Sequence, residues 1–234
     1  MKHLLALALA AALAPLAQAD EAAIRQTLAE RYPKLQINSV TPSPVPGIFE
    51  VWGNGNLVYT DAKADYLFAG PLVNTKSRLN LSQKRIEELR AVKFDDLPLD
   101  KAIRIVRGQG ERQLAVFSDP DCPFCKRLEQ ELAKVDNLTV HLFLYPIPAL
   151  HPKATEIARN IWCAADRAKS WMDYMLENKA PAEVAACDTP IQDIADLAGR
   201  LGVEGTPALI FSTGRRVDGL IPAEQLEAML KSGG

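Results

Sequence analysis

The segment Ser118-Asp-Pro-Asp-Cys122-Pro-Phe-Cys125-Lys-Arg-Leu-Glu-Gln-Glu-Leu132 constrains this chain more than any other. It sets two cysteines in a C-x-x-C pair at a point where a strand turns into a helix. Residues 113–117 are short, apolar and β-prone, whereas Leu128, Leu132 and Val135 recur at helical spacing. Pro123 suits a first helical turn, where a missing N–H costs nothing. Cys122 therefore stands beside unpaired backbone N–H groups at the positive end of the helix dipole. A thiolate is stabilised in such a place.

C-x-x-C pairs also serve as zinc ligands and as plain structural bridges. A structural zinc site wants four Cys or His ligands at metal spacing, but the chain has no second C-x-x-C, and beyond residue 19 its only histidines are His141 and His151. No metal and no cofactor are expected. A bridge spanning two residues closes too small a loop to stabilise much, so redox use is favoured over a structural role.

Residues 1–19 read as a secretory signal peptide: Lys2 supplies a positive start, residues 4–13 an apolar core, and Ala17-Gln18-Ala19 a small-residue cleavage site. The expected product begins at Asp20, is soluble and exported, and meets an oxidising compartment. Disulfides persist there, and all four cysteines, Cys122, Cys125, Cys163 and Cys187, lie beyond the leader. An even count permits two bridges. With 27 basic against 29 acidic residues and no basic tract, nothing supports a nucleic-acid partner.

From residue 20 to about 81 the pattern is that of a small α+β unit. Ala23, Ile24, Thr27 and Leu28 mark a short helix ending before Pro33, and strands are predicted over 35–40, 48–52, 57–60 and 66–68. Asn54-Gly55 between two of them is a hairpin signal. So small a unit is marginal alone, which makes dimerisation plausible. Ser82 is the expected cap of a charged linker helix over 83–93, and the linker, 82–97, ends where Asp95, Asp96 and Pro98 break the pattern. A second domain, 98–234, follows. Strands are predicted over 102–106, 113–117, 140–145, 208–211 and 215–217. Helices are predicted after Cys122 and over 154–165, 168–176, 190–201 and 222–231, with Thr189 capping the helix that Gly202 closes. The order reads as α/β.

The arrangement of strand, Cys122-Pro123-Phe124-Cys125 on a helix start, helical insert, Gly205-Thr206-Pro207, two strands and a final helix resembles a thioredoxin fold with a helical insertion. Both domains together are similar to the exported disulfide isomerases of the DsbC/DsbG family. That likeness implies a small α+β dimerisation domain and a linker helix before the catalytic domain, a periplasmic homodimer, substrates that are disulfide-containing exported proteins, and a membrane-bound reductant as partner. Ile161-Trp162-Cys163-Ala164 and Cys187-Asp188 resemble the family's second, structural cysteine pair.

Carried over by position, Cys122 would be the exposed nucleophile, Cys125 the buried resolving thiol, and Pro207 a cis-proline facing them, with Thr206 offering its backbone to substrate. A cis X-Pro bond costs far less than other cis bonds, and the missing N–H leaves room beside the sulfurs. Pro123 and Phe124 touch both sulfurs and help to set the redox balance. They stand where the well-known isomerase of this type has Gly-Tyr, which opens the alternative of a net oxidant or a DsbG-like reductase of oxidised single cysteines. A chaperone or peptide-binding module with a vestigial C-x-x-C is the reading from another class. Position 116 is Val, where thioredoxin itself has a buried carboxylate, so the sequence supplies no obvious proton acceptor for Cys125.

Overall fold

The computed structural model describes residues 14–185 and 187–231. Lys2 and the apolar run of the expected leader lie outside them. The chain divides into two compact units between Ile86 and Glu87.

In the first unit, α1 (Ala14–Arg31) lays Ile24 and Leu28 on an antiparallel sheet of β1 (Ile37–Pro42), β2 (Ile48–Gly53), β3 (Asn56–Asp61) and β4 (Leu67–Phe68), in that order. Their partners are Val40, Phe49, Val51 and Ala64, a core of few side chains, as the segment's size leads one to expect. Asn54 and Gly55 both take positive φ, +48° and +69°, and turn β2 tightly into β3 with Gly53 opposite Asn56. The Asn54 carboxamide oxygen also accepts the Gln36 N–H at 3.0 Å.

Two short strands that periodicity did not reveal, β5 (Val73–Asn74) and β6 (Leu79–Asn80), pair before α2 (Leu81–Leu89). The cap of α2 is not Ser82. Asn80 Oδ1 accepts the Gln83 N–H at 3.0 Å, while the Ser82 hydroxyl is buried against Tyr59 Oη at 2.7 Å and accepts the Leu72 N–H at 2.7 Å. The helix also stops at Leu89 rather than running to residue 93, because Val92 and Phe94 turn into the core of the second unit.

That core surrounds a five-stranded sheet, ordered β11 (Arg216–Asp218), β10 (Ala208–Phe211), β8 (Arg112–Ser118), β9 (Leu138–Leu144), β7 (Ile103–Arg107). β8 and β9 are parallel, joined through α3 (Pro123–Leu132), and the other pairs are antiparallel. Alternation along β8 sends Leu114 and Val116 to one face and Ala115 and Phe117 to the other. The first face packs α3, α4 (Ala154–Cys163), α5 (Arg167–Glu177) and α7 (Ala223–Lys231). The second packs α6 (Ile191–Leu201) and the 92–97 segment, with Phe117 stacked on Phe143 at 4.8 Å. All seven residues of β9 are buried, as a central strand requires. α6 begins at Pro190 without a side-chain cap, not through Thr189, and ends on Gly202 at φ +65°.

Inside the first face, Glu129 of α3 accepts Trp171 Nε1 from α5 at 2.9 Å and Arg107 Nη2 from β7 at 3.2 Å. Burial pushes its carboxyl up, opposed by these two partners.

Candidate active site

β8 and β10 are antiparallel with Phe117 opposite Ala208, so the loop leaving β8 and the loop entering β10 meet at one end of the sheet. The first carries Cys122 and Cys125, the second Thr206 and Pro207. Cys122 is the N-cap of α3, with φ −79° and ψ 123°, the extended backbone forced on a residue before proline. Pro123 opens the first turn, Lys126 N–H closes it onto the Cys122 carbonyl at 3.1 Å, and Cys125, one turn in, packs with Leu128 in the core. Phe124 points outward, 53 % exposed, with the Arg127 guanidinium 6.0 Å from its ring centroid.

The Thr206–Pro207 bond is cis, and the Cys122 thiol donates to the Thr206 carbonyl with Sγ 3.6 Å from the oxygen. The position-based expectation of an exposed Cys122 needs correcting: it is only 5 % exposed, close to the 0 % of Cys125. The loop bearing Thr206 lies against the sulfur.

Chemistry separates the two thiols where burial does not. A hydrogen bond from the Cys125 thiol, together with the Cys125 and Phe124 backbone N–H groups and the Thr206 side chain, outweighs burial and brings Cys122 down to about 5. Burial pushes Cys125 up, and its hydrogen bond to Cys122 pushes it further, against smaller opposing contributions from Ser118 and the Asp119 backbone. At neutral pH the pair is one thiolate held by one thiol. That arrangement can attack a disulfide through Cys122 and hold a proton on Cys125 until the mixed disulfide is resolved.

Two residues that the sequence did not single out adjoin the pair. Asp119, wholly buried, accepts the Cys122 N–H through its backbone carbonyl at 3.2 Å. Its carboxylate accepts the Asp121 N–H at 2.8 Å, the Ile147 N–H at 2.7 Å and His151 Nδ1 at 2.9 Å. The signal lay in Ser-Asp-Pro-Asp-Cys, where an Asp before a turn can bond the backbone two residues on. Val116, where the sequence offers no carboxylate, is packed in the core.

Cys163, the last residue of α4, is bonded to Cys187 in the α5–α6 connection, with Cα atoms 5.8 Å apart. Trp162 Nε1 donates to the Asp188 carbonyl at 3.1 Å beside it, and the Arg167 guanidinium lies 3.8 Å from the Trp162 ring centroid. Among the described residues no group of three or more His, Cys, Asp and Glu side chains could hold a metal ion, and no helix is long and apolar enough to cross a membrane.

Residues 99–234 match the thioredoxin-like domain family, and residues 15–83 match the disulfide bond isomerase protein N-terminal domain. A probable thiol:disulfide interchange protein DsbC of Bordetella parapertussis is 43 % identical over 217 residues, covering 93 % of this chain and 76 % of the relative. The thiol:disulfide interchange protein DsbC of Escherichia coli K12 is 32 % identical, covering 95 % and 92 %. Among solved structures, a disulfide interchange protein from Neisseria gonorrhoeae is 47 % identical with a TM-score of 0.57, covering 58 % of this chain and 98 % of that one.

Proposed function

Because this chain belongs to the DsbC family of thiol:disulfide interchange proteins, we propose that Cys122 is its attacking sulfur and Cys125 its resolving one, in an exported disulfide isomerase that works as a homodimer. Disulfide isomerase/oxidoreductase chemistry belongs to the family. The roles of individual residues, the periplasmic location, the pairing of two copies through the N-terminal unit and the supply of electrons by a membrane-bound reductant are our reading.

One observation carries it: Cys122 caps α3 with Cys125 one turn in and lies 3.6 Å from the Thr206 carbonyl beside the cis Pro207, a placement that lowers Cys122 to about 5 while burial raises Cys125. The Cys122 thiolate attacks a substrate S–S bond, forming a mixed disulfide and releasing the other substrate sulfur as a thiolate. Either a substrate thiolate then attacks the mixed disulfide, expelling Cys122 and completing an isomerisation with no net electron transfer, or Cys125 loses its proton and attacks, leaving the enzyme disulfide and a reduced substrate. Thr206 offers an extended substrate segment its backbone, with Pro207 leaving the neighbouring space unhindered. Pro123 and Phe124 border the sulfurs, and the exposed Phe124 ring is the apolar contact beside them.

Recovery of activity from a scrambled multi-disulfide protein tests this reading. The wild-type chain should restore it under mildly reducing conditions, and Cys122→Ala should not. Equal recovery with Cys122→Ala would instead support the chaperone or peptide-binding reading. A net oxidant is the second reading favoured by an observation, since a thiolate stabilised to about 5 draws the pair toward its reduced form and makes its disulfide a stronger oxidant.

A further inference from the structure

The segment after β9 has a polar anchor that the exchange mechanism leaves unused. Asp119 is wholly buried and receives only donors: two backbone N–H groups and the Nδ1–H of His151. It works as a carboxylate, and its own carbonyl holds the N–H of Cys122. The His151 side chain is 21 % exposed, so the ring meets solvent and can trade a proton with it. The bond to Asp119 fixes the tautomer and leaves Nε2 as the titrating atom.

We propose that Asp119 and His151 form a dyad that tunes Cys122: while His151 is protonated the dyad is neutral and the thiolate is favoured, and once His151 gives up its proton an uncompensated carboxylate stands behind the Cys122 loop. His151 is thus a positioning and charge-balancing residue, not a reacting one. The step transfers one proton from imidazolium to solvent and no electrons. This inference rests on Cys122 being the attacking thiol.

The surroundings agree on the direction. The hydrogen bond to Asp119 is the main cause that raises His151 above its ordinary range, opposed by burial and reinforced by the charges of Asp119, Cys122 and Asp121. Interaction with Cys122 makes the coupling reciprocal: a thiolate that favours imidazolium is favoured by it in turn. On α5, Tyr174 faces the same acidic pair, which adds to the burial that raises its phenol, and Lys126 of α3 sits 4.6 Å over the Tyr174 ring.

The test measures the thiolate absorbance of the reduced protein against pH, and the equilibrium with glutathione at pH 7, for wild type, His151→Gln and His151→Ala. Glutamine keeps a donor for Asp119 and loses the charge. It should raise the Cys122 midpoint by about half a unit and shift the pair toward its disulfide form by about threefold. If the alanine variant unfolds, the glutamine variant decides alone. In wild type, the His151 ring should titrate at higher pH in the reduced than in the oxidised protein, read from its carbon-bound proton resonances. Equal Cys122 midpoints in wild type and His151→Gln, or equal His151 midpoints in the two redox states, would overturn the dyad and leave the exchange reading standing. A wild-type Cys122 that titrates as an ordinary thiol would overturn both.

Discussion

Cys122 Sγ lies 3.6 Å from the carbonyl oxygen of Thr206, a residue 84 positions later in the chain. The contact joins the two loops that the antiparallel pairing of β8 and β10 brings to one end of the sheet. It also explains why the Cys122 sulfur is nearly covered. With both sulfurs buried, the two thiols differ by charge more than by exposure.

Alkylation should show that inequality directly. At pH 6 a thiol at about 5 is roughly nine-tenths thiolate, whereas Cys125, held far above its ordinary range, is protonated. A brief iodoacetamide pulse on the reduced protein, followed by peptide mass spectrometry, should label Cys122 at least about tenfold faster than Cys125. Equal rates would remove the basis for assigning different roles to the two sulfurs.

The Cys163–Cys187 bond closes a loop with a sequence separation of 24 and should stabilise the folded chain by about 3 kcal/mol through restriction of the unfolded one. Urea unfolding of the Cys163→Ala/Cys187→Ala double variant should show a midpoint lowered to match. The thiolate titration of Cys122 should be unchanged. A loss of both stability and low-pH thiolate would mean that the insert also shapes the site.

Arg112 grips Glu227 through two hydrogen bonds, Nη1 to Oε2 at 2.8 Å and Nη2 to Oε1 at 3.0 Å, fastening α7 to the start of β8. The side-chain bond to Arg112 holds the Glu227 carboxyl below its ordinary value, with burial opposing it. For an acid depressed in the folded state, the stabilisation is present above its unfolded value and is lost as pH falls through the folded one. Glu227→Gln should therefore cost about 1 kcal/mol at pH 7, and the gap to wild type should close on acidification below about pH 4. Chemical denaturation of both proteins at pH 7, 5 and 3.5 would check the sign. A gap that widened toward acid would contradict it.

Removing residues 20–81 should leave a folded second unit, because among the described residues its two hydrophobic clusters contain none before Val92. We expect a monomer that still reduces simple disulfides through Cys122 but no longer rescues a scrambled multi-disulfide substrate, since it lacks a second copy to help hold the misfolded chain. Sedimentation of the full chain as a monomer, or undiminished rescue by the truncated form, would move the net-oxidant reading ahead.

Much of this was legible in residue order, for identifiable reasons. The Asn54-Gly55 turn and the strand over 208–211 are local: left-handed backbone at two turn residues and an unbroken apolar run each act within a few positions. The pair Cys122 and Cys125 was legible because proline and the strand-to-helix switch are also local. What escaped was set by tertiary contact. Val92 and Phe94 sit in a charged stretch that read as linker, yet both are buried in the second unit. Ser82 had the chemistry of a cap, but Tyr59 claimed its hydroxyl and Asn80 took the role. Asp119 and His151 are 32 residues apart and meet only because the segment leaving β9 folds back over the loop leaving β8. Nothing in their spacing announces that.

The disulfide between Cys163 and Cys187 sets a requirement of its own in a molecule whose other two cysteines are free thiols. Within one unit, one bond has to be installed and kept while Cys122 and Cys125 have to stay free of theirs. On the proposed reading, any reductant that keeps the Cys122 and Cys125 pair open must leave the Cys163–Cys187 bond intact. The lowered Cys122 and raised Cys125 set the working pair apart, because a thiolate stabilised at Cys122 favours the reduced form of that pair.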